Sequence, residues 1–189
     1  MKKKIQSAKC FYGILVVLSI LYSCNYNSDD LIDEEIITTP TLPYQAEGFV
    51  KIENCSEGFF ANLDGGDRFS RDHDKIGDVN NDGVVDIVVG ARSEDDGGVD
   101  AGAVYILFMN SDGTVQSNQK ISMLEGAFTK TLNLGNFFGY GVAGIGDYDA
   151  DGIPDIAVSF PVPPNNSLYI IHLNADGTVK NIIKNTNII

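Results

Sequence analysis

Two nine-residue stretches place oxygen-bearing side chains at alternate positions: Asp78-Val79-Asn80-Asn81-Asp82-Gly83-Val84-Val85-Asp86 and Asp147-Tyr148-Asp149-Ala150-Asp151-Gly152-Ile153-Pro154-Asp155. In a tight loop the side chains at the first, third and fifth positions can converge on one centre. A glycine at the sixth permits the sharp turn, and a carbonyl at the seventh with a carboxylate at the ninth can close the shell. Such an all-oxygen set suits Ca2+, a hard cation that takes about six to eight oxygens. The expected ligands are Asp78, Asn80, Asp82, the Val84 carbonyl and Asp86 in the first loop. In the second they are Asp147, Asp149, Asp151, the Ile153 carbonyl and Asp155. Without a cation the four carboxylates of the second loop repel one another, so that loop is expected to be the better site. One such loop could be an ordinary Asp-Gly turn in an acidic chain; two in matching register argue against that. Neither is an EF-hand, whose twelfth position is a bidentate glutamate, because here that position holds Val89 and Val158.

The loops are held by a duplicated unit. Setting Asp147 on Asp78, an offset of 69 residues, also superposes Phe128 on Phe59, Leu132 on Leu63, Gly135 on Gly66, Phe138 on Phe69 and Ile145-Gly146 on Ile76-Gly77. Further along the offset becomes 64, matching Tyr169-Ile170-Ile171 to Tyr105-Ile106-Leu107 and Asp176-Gly177-Thr178-Val179 to Asp112-Gly113-Thr114-Val115. Each copy reads as short strands: Val84 to Val89, Ala103 to Met109 and Thr114 to Gln116 in the first, Ile153 to Val158 and Leu168 to Leu173 in the second. Asp-Gly turns follow the longest run of each copy. No amphipathic helix is expected. The fold class is all-β, with repeats at 48–121 and 122–189 built as four-stranded blades.

Asn136-Phe137-Phe138-Gly139-Tyr140-Gly141-Val142-Ala143-Gly144-Ile145-Gly146-Asp147 and the loop after it resemble the FG-GAP repeat, the blade of the integrin α-subunit N-terminal β-propeller. Gly102 to Phe108 resembles that family's second conserved strand. The "GAP" element is Gly90-Ala91-Arg92 in the first repeat and degrades to Ser159-Phe160-Pro161 in the second. The resemblance implies a calcium-binding cell-surface adhesion or interaction module, with Ca2+ bracing the blades and a protein or glycan ligand held by loops such as Ser93 to Ala101 and Pro161 to Ser167. The alternative is an accessory or partial domain of a secreted enzyme acting on polysaccharides or lipids. One departure is the segment Phe69-Ser70-Arg71-Asp72-His73-Asp74-Lys75-Ile76, charged where the second copy is glycine-rich and apolar. It is expected to be an exposed or irregular edge, with His73 solvated. A second departure is number. Propellers usually have about four to eight blades and two cannot bury their faces alone. The chain is therefore expected to be a piece of a longer propeller with further blades, to pair with other copies, or to form an unusual small sandwich of two blades.

Residues 1–23 read as a secretory signal, with Lys2, Lys3, Lys4 and Lys9 ahead of an apolar run from Phe11 to Leu21 that falls short of a spanning helix. Leu21-Tyr22-Ser23-Cys24 resembles a bacterial lipobox, which makes Cys24 the lipid-attachment residue. Residues 24–47 are an acidic, flexible tether similar to the export signal of Bacteroidetes surface lipoproteins. The expected location is the outer membrane, on the cell surface, with membrane contact through the lipid anchor only. The leader holds four of the 13 basic residues and none of the 26 acidic ones, so the mature chain carries nine against 26, a net −17. That charge excludes nucleic acid as a partner and favours cations. No enzyme is expected. Cys55 has no base tied to it, and no nucleophile, base and orienting group can be assembled. The paired carboxylates a glycosidase needs are mostly claimed by the metal loops, while Glu94, Asp95 and Asp96 read as solvated.

Overall fold

The computed structural model describes residues 50–52, 58–161 and 167–185. The expected signal and tether, Cys24, Cys55 and residues 162–166 of the expected ligand loop lie outside them. Eight strands form two antiparallel meanders. The first contains β1 (Phe69–Gly77), β2 (Asp86–Ala91), β3 (Ala103–Met109) and β4 (Val115–Ile121), in that spatial order. The second contains β5 (Gly141–Gly146), β6 (Asp155–Phe160), β7 (Ser167–Leu173) and β8 (Val179–Asn185). The described residues contain no helix. This is an all-β structure of two four-stranded blades, a partial propeller.

The apolar runs become the middle strands because both their faces are covered. Every residue of β3 is buried. Its Val104, Ile106 and Phe108 join Val88 and face the second blade, where Ile156, Val158, Phe160, Tyr169, Ile171 and Leu173 complete one core. Ala103, Tyr105, Leu107 and Met109 face the other way, onto a second core under Phe59 and Ala61. The outer strand β4, VQSNQKI, buries only its ends. An aromatic trio recurs in each copy: Phe59, Phe69 and Tyr105 in the first, with ring centroids 5.2–5.9 Å apart, and Phe128, Phe138 and Tyr169 in the second, 4.8–6.3 Å apart. Such tilted clusters stabilise beyond the area they bury.

The blades interlock through backbone. A Cβ on Gly90 would stand 2.2 Å from the Gly139 carbonyl oxygen, so the glycines of the "GAP" and "FG" elements let two main chains touch. Gly102 and Phe138 form a parallel bridge, and the Arg92 guanidinium lies over the Tyr140 ring at 4.9 Å. The stretch from Val99 to Ala101 accepts hydrogen bonds from Gly135, Phe137 and Phe138 of the second blade, at 2.9–3.0 Å. The loop Ser93 to Ala101, expected to serve ligand specificity, is thus in part a clasp between blades.

The charged segment of the first repeat is the edge strand β1, irregular where its register with β2 shifts between Phe69 and His73. It has a use for its acids. Asp72 accepts a hydrogen bond from the Val142 N–H at 2.7 Å and Asp74 one from the Gly144 N–H at 3.1 Å. Carboxylates of one edge strand thereby satisfy the free backbone donors of the other, an arrangement stronger than a neutral hydrogen bond.

Candidate metal centre

Both loops have one construction. The first residue of each is a carboxylate that accepts two backbone N–H groups: Asp78 from Asp82 (3.0 Å) and Gly83 (2.8 Å), and Asp147 from Asp151 (3.0 Å) and Gly152 (2.9 Å). The fifth residue accepts from the seventh, Asp82 from Val84 (2.9 Å) and Asp151 from Ile153 (2.8 Å). The fourth and sixth residues are left-handed in both, with φ of 59° and 90° at Asn81 and Gly83 and 60° and 93° at Ala150 and Gly152. Asparagine and glycine tolerate that region, whereas for alanine it costs on the order of 1 kcal/mol. The second loop keeps the shape against that cost.

The ninth residues, expected as ligands, also anchor the loops. Asp86 and Asp155 open β2 and β6 and are fully buried. The two Asp86 oxygens accept the Val79 N–H (2.9 Å) and the Met109 N–H (3.0 Å). Those of Asp155 accept Tyr148 (2.9 Å) and Leu173 (3.1 Å). Each aspartate ties the start of its loop to the end of the next strand but one. Burial pushes the Asp86 carboxyl above its ordinary range, opposed by the Val79 and Met109 hydrogen bonds and assisted by Asp82 and Asp78. The strands expected to start at Val84 and Ile153 start two residues later, because Val84-Val85 and Ile153-Pro154 still belong to the loops.

The donors fit a hard cation. Carboxylate oxygens of Asp147, Asp149 and Asp151 lie within 4.8 Å of one another. In the first loop Asn80 supplies the neutral member and its amide donates to Asp82 at 2.8 Å. Each residue named for the first site has an oxygen to offer, as Ca2+ requires, and the Asn80 oxygen accepts the Asp82 N–H at 3.1 Å. A cation already serves the second loop: the Lys180 ammonium meets Asp149 at 2.8 Å and Asp151 at 2.6 Å. Its hydrogen bond, the foremost influence, holds the Asp151 carboxyl below its ordinary range. The expected unrelieved repulsion among four carboxylates is therefore corrected, and the second loop's ligands are partly engaged by the protein itself. The corresponding residue in the first blade is Gln116, whose side-chain oxygen accepts from Asn80 at 3.4 Å.

His172 is the other residue missed in the sequence. It is buried, and its Nδ1 lies 3.1 Å from Asp149 Oδ2 and 3.4 Å from Asp155 Oδ2. The 64-residue offset aligns it with Phe108 and aligns Lys180 with Gln116, but only the folded sheet brings either to the loop. A further correction concerns Glu94, which is buried, not solvated. It pairs with the Lys120 ammonium, which also meets Asp96 at 2.6 Å, while Ser122 donates to Asp96 at 2.9 Å. Nearby Asp67 is pushed up to about 6, mainly by burial, with Asp64 and Glu94 adding repulsion.

The two blades carry matching aspartate loops and meet where Gly139 approaches Gly90. Residues 78–158 match the FG-GAP-like repeat. The chain is also similar to integrin α subunits: 37% identical to integrin alpha-3 of Cricetulus griseus over 110 residues, 56% of this chain and 9% of that one. It is 42% identical to integrin alpha-6 of Homo sapiens over 102 residues, 53% of this chain and 8% of that one. Against integrin alpha-2 of Mus musculus it is 30% identical over 153 residues, 74% of this chain and 12% of that one. The matched region thus spans about a tenth of each relative's length.

Proposed function

We propose that this chain is a calcium-braced interaction module of the cell surface, in which Ca2+ fixes the loops beneath two FG-GAP-like blades and a protein or glycan is the ligand. The observation carrying this reading is the repetition of one loop geometry, with its buried aspartate keystone, at equivalent places in two blades. When bound, Ca2+ supplies charge neutralisation and cross-linking. Asp78, Asn80, Asp82, Val84 and Asp86 would hold it in the first loop, and Asp147, Asp149, Asp151, Ile153 and Asp155 in the second, with Asp86 and Asp155 also anchoring each loop to its sheet. Glu94 and Asp96 are neutralised by Lys120, which favours a structural over a catalytic use of these acids. Similarity to integrin α subunits supports a place at the cell surface, and the lipobox-like Leu21-Tyr22-Ser23-Cys24 supports Cys24 as the lipid anchor. Further blades or a second copy would meet the second sheet's outer face, where Ile183 is 43% exposed opposite Ile170.

Calcium titration followed by thermal melting tests the reading. Extracellular modules bind Ca2+ with Kd of roughly 10⁻⁴ to 10⁻³ M, so the melting temperature is expected to climb across that range and to fall again with EGTA. A melting temperature indifferent to Ca2+, with no binding heat, would sink it.

A further inference from the structure

We propose that the second loop, unlike the first, forms a mixed nitrogen and oxygen site for an imidazole-seeking divalent ion such as Zn2+, made by His172 Nδ1 with Asp149 and Asp155. This site shares Asp149 and Asp155 with the second loop's calcium set, and what separates the two readings is the nitrogen of His172. His172, Asp149 and Asp155 present ligand atoms all within 4.8 Å of one another. The His172 side chain is 4% exposed, and neither ring nitrogen has a hydrogen-bond partner among the described residues. A buried polar group without a partner is costly.

The distances fit a metal. Nδ1 stands 3.1 Å from one carboxylate oxygen and 3.4 Å from the other, yet it is aligned with neither as a hydrogen-bond donor. Ligand atoms that each sit about 2.0–2.2 Å from Zn2+ in tetrahedral or wider coordination are separated from one another by roughly 3.0–3.5 Å. Two anionic oxygens flanking a nitrogen off its axis therefore describe ligands around a common centre. Both carboxylates are pre-positioned. Asp155 is fixed by the Tyr148 and Leu173 N–H groups, and the Tyr148 ring packs edge-on against the imidazole at 5.9 Å. Lys180 shares the same Asp149 oxygen and would release it when the metal enters. Imidazole selects Zn2+, Co2+ or Ni2+ over the hard cations, and Phe108 at the equivalent place denies the first blade this chemistry.

The test is calorimetric titration of the full chain and of His172→Phe with ZnCl2 and, separately, CaCl2. The expected result is uptake of Zn2+ by the wild type, weakened at least tenfold in His172→Phe, with Ca2+ uptake the same in both. Equal Zn2+ affinity in the two proteins, or none in the wild type, overturns the proposal, whatever the Ca2+ result. If the variant does not fold, long-range 1H–15N spectra of the wild type decide. Zn2+ must give Nδ1 of His172 the large shift of a ligated nitrogen, well beyond any change that Ca2+ produces through Asp149, with exposed His73, the only other histidine, as internal control. A resonance indifferent to Zn2+ overturns the proposal equally.

Discussion

Replacing Asp86 by asparagine, read in the absence of metal, isolates its anchoring of the loop. Its two buried oxygens accept two backbone N–H groups, from Val79 and Met109. Asparagine retains one acceptor and turns an NH2 toward the remaining donor. One hydrogen bond to a charged group, about 1.5–3 kcal/mol, is lost, and the orphaned N–H costs about 1–3 kcal/mol more. Removing a carboxylate whose burial already raises its pKa returns part of this. The expected net loss is about 2–3 kcal/mol, or roughly 6–15 °C in melting temperature for a domain of this size. The assay is thermal unfolding followed by circular dichroism, in EDTA and then in Ca2+. Asp82→Asn is the control, because Asp82 is exposed and contributes mainly to the cation site. In EDTA only Asp86→Asn is expected to melt early; in Ca2+ Asp82→Asn loses most of the first site's share of the calcium-induced rise, about 2.7 kcal/mol at a hundredfold excess over Kd. An Asp86→Asn protein melting within about 2 °C of wild type in EDTA would refute the keystone argument.

Gly90→Ala would drive its Cβ to 2.2 Å from the Gly139 carbonyl, and the overpacking is expected to cost about 1–3 kcal/mol, read as a lower denaturation midpoint. Asp67 titrates near 6 when folded, against 3.8 for the free side chain. Because the folded value is raised, its contribution is complete below about pH 4 and is lost as pH rises through about 6, by on the order of 1–3 kcal/mol. Asp67→Asn should therefore flatten stability between these limits in EDTA and gain on wild type at neutral pH, as urea titrations at several pH values would show. Lys180→Gln, which copies Gln116, removes a cation that competes for Asp149 and Asp151, so Ca2+ affinity of the second loop should rise several-fold by calorimetry; an unchanged affinity would mean that Lys180 does not compete.

Spacing alone revealed the duplication, the all-β class and the two loops, because all three are local or periodic. Alternation of aspartate or asparagine with a glycine at the sixth position dictates the turn, and continuous apolar runs such as Ala103 to Met109 dictate strands covered on both faces. The same periodicity exposed the oddity of Asp72 and Asp74 without showing its use. Only the packing of β1 against β5 placed those carboxylates on the Val142 and Gly144 donors. Glu94 looked solvated because its partner, Lys120, is 26 residues away, a distance along the chain that no local pattern reports. The aspartate loops changed most. Their oxygens could be named from sequence, but their electrostatics depended on Lys180 and His172, brought in from β8 and β7. A charge's effect is set by its neighbours in space, and sheet pairing, not sequence spacing, decides which neighbours those are.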